Sequence, residues 1–129
     1  MEREDGLSFL SLLYNTSLTL NRDAVLDEMP RDDTQAGGVP TWYSVTTTRQ
    51  SPLAYQSCAL AGSGQCKWHY TEYPLTNESE LYDVSNGPCY AWNANMTGDP
   101  CELENQVNNP FYASIKSQLQ TRLAELKAA

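Results

Sequence analysis

His69 is the only histidine in the chain, so a Ser/His/Asp or Cys/His nucleophilic site would have to use it. It sits in the run CKWHYTEY at 66–73, flanked by Trp68 and Tyr70. No G-x-S-x-G elbow accompanies it. Its neighbours suggest a sheet surface, and a structural or solvent-facing role is the expectation. Asp32–Asp33 lies in a polar loop without the alternating oxygen ligands of a calcium loop. Glu102 and Glu104 read as solvated carboxylates. Gly62-Ser63-Gly64 reads as a turn, because the chain has neither a phosphate-binding loop nor a G-x-G-x-x-G fingerprint. No pair among the sixteen acids stands out for glycoside chemistry.

The four cysteines lie at 58, 66, 89 and 101. These separations do not supply the C-x2-4-C knuckles of a zinc site. Four cysteines allow three connectivities. The local pairs Cys58–Cys66 and Cys89–Cys101 are favoured, since the first encloses the turn-like stretch AGSG at 61–64. Three sequons begin at Asn15, Asn77 and Asn95, and together with even cysteines they point to an extracytoplasmic route. The opening residues, MEREDGLSFL, have acids where a secretory signal has its basic start. The export signal is therefore expected upstream of this sequence.

A chain of 129 residues can form one domain that hides roughly two-thirds of its unfolded surface. Net charge is −8, which argues against nucleic acid or an anionic membrane as partner. The longest apolar stretch, Leu7–Tyr14, is far short of the roughly 20 residues of a membrane span.

The elements that must position these groups are legible in outline. Leu7–Leu13 is a short apolar segment of undecided type, and residues 14–23 and 30–40 read as loops. Ala24–Met29 reads as a strand closed by Pro30. Thr41–Thr48 is the clearest strand, with period two separating Tyr43, Val45 and Thr47 from Trp42, Ser44 and Thr46. Leu53–Cys58 and Cys66–Tyr73 are expected to be partner strands stapled by their cysteines, and Glu80–Val84 a further short strand. The turn SNGP at 85–88 opens an irregular segment holding Tyr90 and Trp92. Asn109 and Pro110 are suited to the N-cap and first position of a C-terminal helix. Phe111, Tyr112, Ile115, Leu119, Leu123 and Leu126 form its apolar stripe, opposite Lys116, Gln118, Gln120 and Arg122. The expected fold class is α+β: a small, mostly antiparallel sheet of about four strands packed by a C-terminal amphipathic helix. The aromatics Trp42, Tyr43, Tyr55, Trp68, Tyr70 and Tyr73 supply either a core or a sugar-stacking face, with core favoured.

Six segments, in order, follow the pattern of one known family. Residues 5–13 (DGLSFLSLL) resemble D-G-x-S-L-x-P-L-L, and 22–28 (RDAVLDE) resemble R-x-x-V-L-x-E. Residues 39–49 (VPTWYSVTTTR) are similar to Y-x-A-V-R-T-x-R, and 68–74 (WHYTEYP) to Y-K-Y-V-E-Y. Residues 80–84 (ELYDV) match E-L-Y-D-L, the most specific of the set, and 99–105 (DPCELEN) resemble D-P-x-E-x-x-N. Together, over about residues 5–127, they resemble the C-terminal subdomain of sulfatases, the alkaline-phosphatase-like hydrolases of sulfate esters, nearest to glucosamine-6-sulfatase-like enzymes.

The resemblance implies a small antiparallel sheet with a C-terminal helix, packed against a catalytic domain that is the intramolecular partner. The family joins its E-L-Y-D-L strand directly to the D-P turn, whereas Ser85–Gly98 intervenes here. Thr47 stands where the family often has Arg. Sulfatases use a formylglycine made from C/S-x-P-x-R, and no Cys or Ser here fits that pattern. The resemblance therefore implies no catalytic residue and no metal or cofactor in this chain, with calcium in the absent catalytic domain and no turnover by residues 1–129 alone. Trp42, Tyr43, Arg49 and the 85–98 insertion with Trp92 are the candidate positions at the rim of a cleft for sulfated glycan. The alternative from another class is a free-standing secreted module that binds carbohydrate or protein with an aromatic sheet face.

Overall fold

The computed structural model describes residues 22–29, 41–56, 58 and 64–128. Four strands, β1 (Ala24–Met29), β2 (Trp42–Thr47), β3 (Trp68–Tyr73) and β4 (Glu78–Asp83), form one sheet in the order β1-β2-β3-β4, and every neighbouring pair is antiparallel. One α-helix, α1 (Ala113–Ala128), follows. This is the expected α+β architecture. The segments at 7–13 and 30–40 lie outside the described residues.

Period two in β2 carries through the whole sheet, since side chains alternate between its faces. In register, Leu26, Val45, Tyr70 and Leu81 form one row across the four strands. That row faces α1, whose Ile115, Leu119 and Leu123 are buried with it, and Trp68 lies in the same core. The Trp68 ring meets Tyr112 edge-on at 5.2 Å. The opposite side of the sheet carries the rows Val25, Thr46, His69, Tyr82 and Asp27, Ser44, Thr71, Glu80.

Three elements differ from expectation. Leu53–Cys58 is not a strand: Pro52–Tyr55 is a 3-10 turn. Ser51 Oγ accepts the Leu53 N–H at 3.1 Å, and Pro52 fixes the backbone for a helical start, so the Ser-Pro pair initiates a turn where the apolar pattern suggested extension. Strand β4 begins at Glu78 rather than Glu80. Asn77 takes a left-handed φ of 58° and reverses the chain two residues sooner. Asn109 caps as expected, its Oδ1 accepting the Phe111 N–H at 3.0 Å, but it caps a 3-10 turn at Pro110–Tyr112 that leads into α1. The tighter winding of about three residues per turn rotates Phe111 off the apolar stripe, and it is 69% exposed. Arg122 is not on a solvated face. Its Nε and Nη2 bind the two Asp23 oxygens at 2.8 and 2.7 Å and tie α1 to the entry of β1.

Burial, reinforced by Glu72, pushes the Tyr70 phenol up to about 12; burial, reinforced by Glu80, does the same for Tyr82. Both titrate near 10 when unfolded. The raised folded values mean that the folded state holds these protons more tightly. The corresponding stability is intact below pH 10 and is lost as pH rises towards 12. At pH 11 each tyrosine should subtract about 1.4 kcal/mol. Urea midpoints measured from pH 8 to 11 should fall steeply above pH 10, and the Tyr70→Phe and Tyr82→Phe variants should each flatten the fall.

Candidate functional site

The side chains with the most chemical potential lie on the sheet face away from α1. Alternation in β2 and β3 puts Ser44, His69 and Thr71 on that face. Ser44 Oγ lies 2.5 Å from His69 Nε2 and 3.0 Å from Thr71 Oγ1. The other ring nitrogen, Nδ1, is hydrogen-bonded to Glu102 Oε1.

Glu102 arrives from the loop after the second disulfide. Asp99 organises that loop, its carboxylate oxygens accepting the N–H groups of Leu103 and Glu104, both at 2.9 Å. The Asp99 N–H donates to the Asp83 carbonyl at 2.7 Å and pins the loop to the end of β4. Glu102 itself has a φ of +55°, a left-handed conformation that costs a non-glycine residue about 1–2 kcal/mol.

This is the wiring of a Ser–His–carboxylate relay, in which the carboxylate orients the ring and the ring nitrogen faces a hydroxyl. Its setting is not that of a nucleophile. Ser44 is 2% exposed and lies mid-strand between two hydrogen-bonded neighbours, opposite Asp27 and Thr71. The local backbone N–H groups belong to the ladder, so none remains to stabilise an oxyanion. The arrangement fastens loop 99–105 to the sheet.

Glu102→Ala should cost about 1–2 kcal/mol through loss of the charged hydrogen bond. Glu102→Gly removes the same bond and also relieves the left-handed strain, so it should be the milder of the two by about 1 kcal/mol in urea unfolding.

His69 was expected to be structural, and its contacts fit that role. Glu102 and Glu104 are both exposed, as expected of solvated carboxylates, but Glu102 is also hydrogen-bonded to His69. Period two could have paired Ser44 with His69 from sequence. Nothing local marks Glu102, which lies 33 residues from His69.

The candidate rim residues do not share one surface. Trp42 lies on the relay face of β2, and Tyr43 lies on the helix face with Lys127 Nζ 4.1 Å over its ring. Arg49 is exposed just beyond β2, and Trp92 is half-buried inside the loop closed by Cys89–Cys101. Trp68 and Tyr70 are core residues at 0% and 1% exposure. The six aromatics therefore do not assemble into one stacking face.

Asn77 is exposed at the β3–β4 turn and Asn95 is exposed in the disulfide loop, so both sequons are sterically open. Asn15 and Asp32–Asp33 lie outside the described residues. Among the described residues, no group of three or more His, Cys, Asp or Glu side chains could hold a metal ion.

Both favoured cysteine pairs are disulfides, Cys58–Cys66 and Cys89–Cys101. They fit an oxidising, extracellular-type environment. Among the described residues no helix is long and apolar enough to cross a membrane.

Comparison of the chain with protein families, with curated proteins and with solved structures finds no match. The functional reading therefore rests on the residues and their geometry.

Proposed function

We propose that the chain is the C-terminal subdomain of an extracytoplasmic sulfatase, completing the fold of a catalytic domain and helping to shape the rim of its cleft. The observation that carries this reading is how the insertion after β4 closes. Two segments of the resemblance meet here: Glu80–Val84, its most specific, and Asp99–Asn105. They interlock directly. Asn105 Oδ1 accepts the Leu81 N–H at 3.0 Å, and its Nδ2 donates to the Ser79 carbonyl at 3.1 Å. The Gln106 N–H donates to the Leu81 carbonyl at 2.9 Å.

Asp83 and Asp99 are bonded across the base of the insertion, so residues 84–98 leave β4 and return to the same point. The family's direct connection between these two segments would span that closed base. Gly98 sits at the return with a φ of +85°, and a Cβ there would come within 2.7 Å of the Ser85 carbonyl oxygen. The insertion thus adds a disulfide-closed excursion without disturbing the segments that carry the resemblance.

The α+β layout, with α1 on one face of an antiparallel meander, supports the same reading. Val25 and Met29, each 40% exposed on the relay face of edge strand β1, supply apolar surface for a neighbouring domain. The scattered aromatics weaken the rival carbohydrate-binding module.

In this reading the nucleophile and the divalent cation belong to the catalytic domain. The purified chain, supplied with calcium and 4-nitrophenyl sulfate, should release no nitrophenol above buffer. Metal-dependent turnover by residues 1–129 would overturn the proposal.

A further inference from the structure

Asparagine side chains elsewhere hold the fold together. Asn86 Nδ2 donates to the Thr97 carbonyl at 3.0 Å, Asn105 joins its loop to β4, and Asn109 caps the turn before α1. The Asn77 side chain has no such role: it is exposed and forms no hydrogen bond with the described residues. Asn77 opens the sequon Asn77-Glu78-Ser79, a motif that neither the fold nor the proposed function uses. Its left-handed φ of 58° belongs to the β3–β4 turn, and asparagine tolerates that conformation. The turn constrains the backbone alone and leaves the amide nitrogen accessible.

Asn77 also lines a cleft of about 490 Å3 between the turn and α1. Tyr73 and Pro74 lie on the turn side, Lys116 and Gln120 on the helix side, with Glu72 and Glu78 between. The turn side is well fixed. The Thr76 N–H donates to the Tyr73 carbonyl at 3.2 Å, and the Tyr73 hydroxyl donates to Glu80 at 3.0 Å. An N-acetylhexosamine ring has an apolar face of C–H groups and a rim of hydroxyl and acetamido groups. A tyrosine ring and a proline match the face. Carboxylate, ammonium and amide groups match the rim, the charged ones through charge-assisted hydrogen bonds. Attachment at Asn77 would make the seating intramolecular, so individually weak contacts suffice.

We propose that Asn77 carries an N-linked glycan whose first N-acetylhexosamine is seated in this cleft and bridges the β3–β4 turn to α1. The two disulfides fit the secretory-type route on which such a transfer occurs. In the transfer, Asn77 Nδ2 bonds to the anomeric carbon of a polyprenyl-pyrophosphate-linked oligosaccharide. The anomeric C–O bond breaks, its electron pair leaves with the pyrophosphate, and Nδ2 gives up a proton. The inference rests on the sequon and the cleft and does not depend on the sulfatase reading.

The test secretes the 129-residue chain from a eukaryotic host behind a cleavable signal peptide. Peptide mass spectrometry after enzymatic deglycosylation in heavy-oxygen water should find the label at position 77. On a second sample the glycan is trimmed to its first sugar. Its amide spectrum is compared with that of Asn77→Gly, which keeps the left-handed turn and carries no glycan there. The sugar should shift the amides of residues 116 and 120, across the cleft from the attachment point. An Overhauser contact from its acetamido methyl to the Tyr73 ring should accompany the shifts, and it is read on the unsubstituted chain. The same spectra report whether Asn77→Gly is folded. An unlabelled Asn77 would overturn the proposal. So would a trimmed glycan that leaves residues 116 and 120 unshifted or makes no contact with Tyr73.

Discussion

Reducing both disulfides should remove about 5 kcal/mol of stability, roughly 2.5 from each loop in the chain-entropy description. The closed loops are short, with separations of 8 and 12 residues, and the loss grows only slowly with loop length. A domain of this size typically has about 5–15 kcal/mol in total, so reduction should bring the chain close to unfolding. The two bridges should act differently. Cys66 is fully buried in the core and its N–H donates to the Ala54 carbonyl at 2.9 Å, so the Cys58–Cys66 bridge ties the 3-10 turn to the start of β3. Cys89–Cys101 closes an excursion whose base is already held by Asp83 and Asp99. Urea unfolding of Cys58→Ala/Cys66→Ala should show the larger shift in midpoint. A reduced chain with an unchanged midpoint would contradict this account.

Trp68→Ala should cost about 3–5 kcal/mol, the range for emptying a large aromatic site in a core. The indole has no exposed surface, packs edge-on against Tyr112, and sits between the sheet and α1. Deleting it separates the two layers that make up the fold. Trp68→Phe is the informative contrast. It keeps an aromatic edge against Tyr112 and removes a buried indole N–H that has no hydrogen-bond partner among the described residues. Its cost should be well under half that of the alanine variant. Equal destabilisation by the two variants would mean that the site is held by something other than aromatic packing.

The sheet was legible because its signals are local. Thr, Val and aromatic residues at period two in 42–47 fix both the strand and its two faces, and β1 ends where the sequence places Pro30. The cysteine pairs were legible because each partner lies near in sequence. The errors came where a short-range geometric preference competed with the apolar pattern: Ser51-Pro52 starting a turn, Asn77 reversing the chain early, and the 3-10 winding that turns Phe111 outward.

The Ser44–His69–Glu102 contact shows a different limit. Two of its members follow from strand alternation, but the third depends on a loop whose path is set by Asp99 caps and by the closure at Asp83.

The central claim is that residues 1–129 work as part of a larger sulfatase. Its most direct test is the mass of the native polypeptide that carries this sequence, captured from its source with an antibody raised against residues 113–128 and analysed by peptide mass spectrometry. The account predicts a polypeptide far heavier than 14.4 kDa, with a C/S-x-P-x-R peptide whose first residue is converted to formylglycine. A chain of about 14.4 kDa, alone except for glycans, would contradict it.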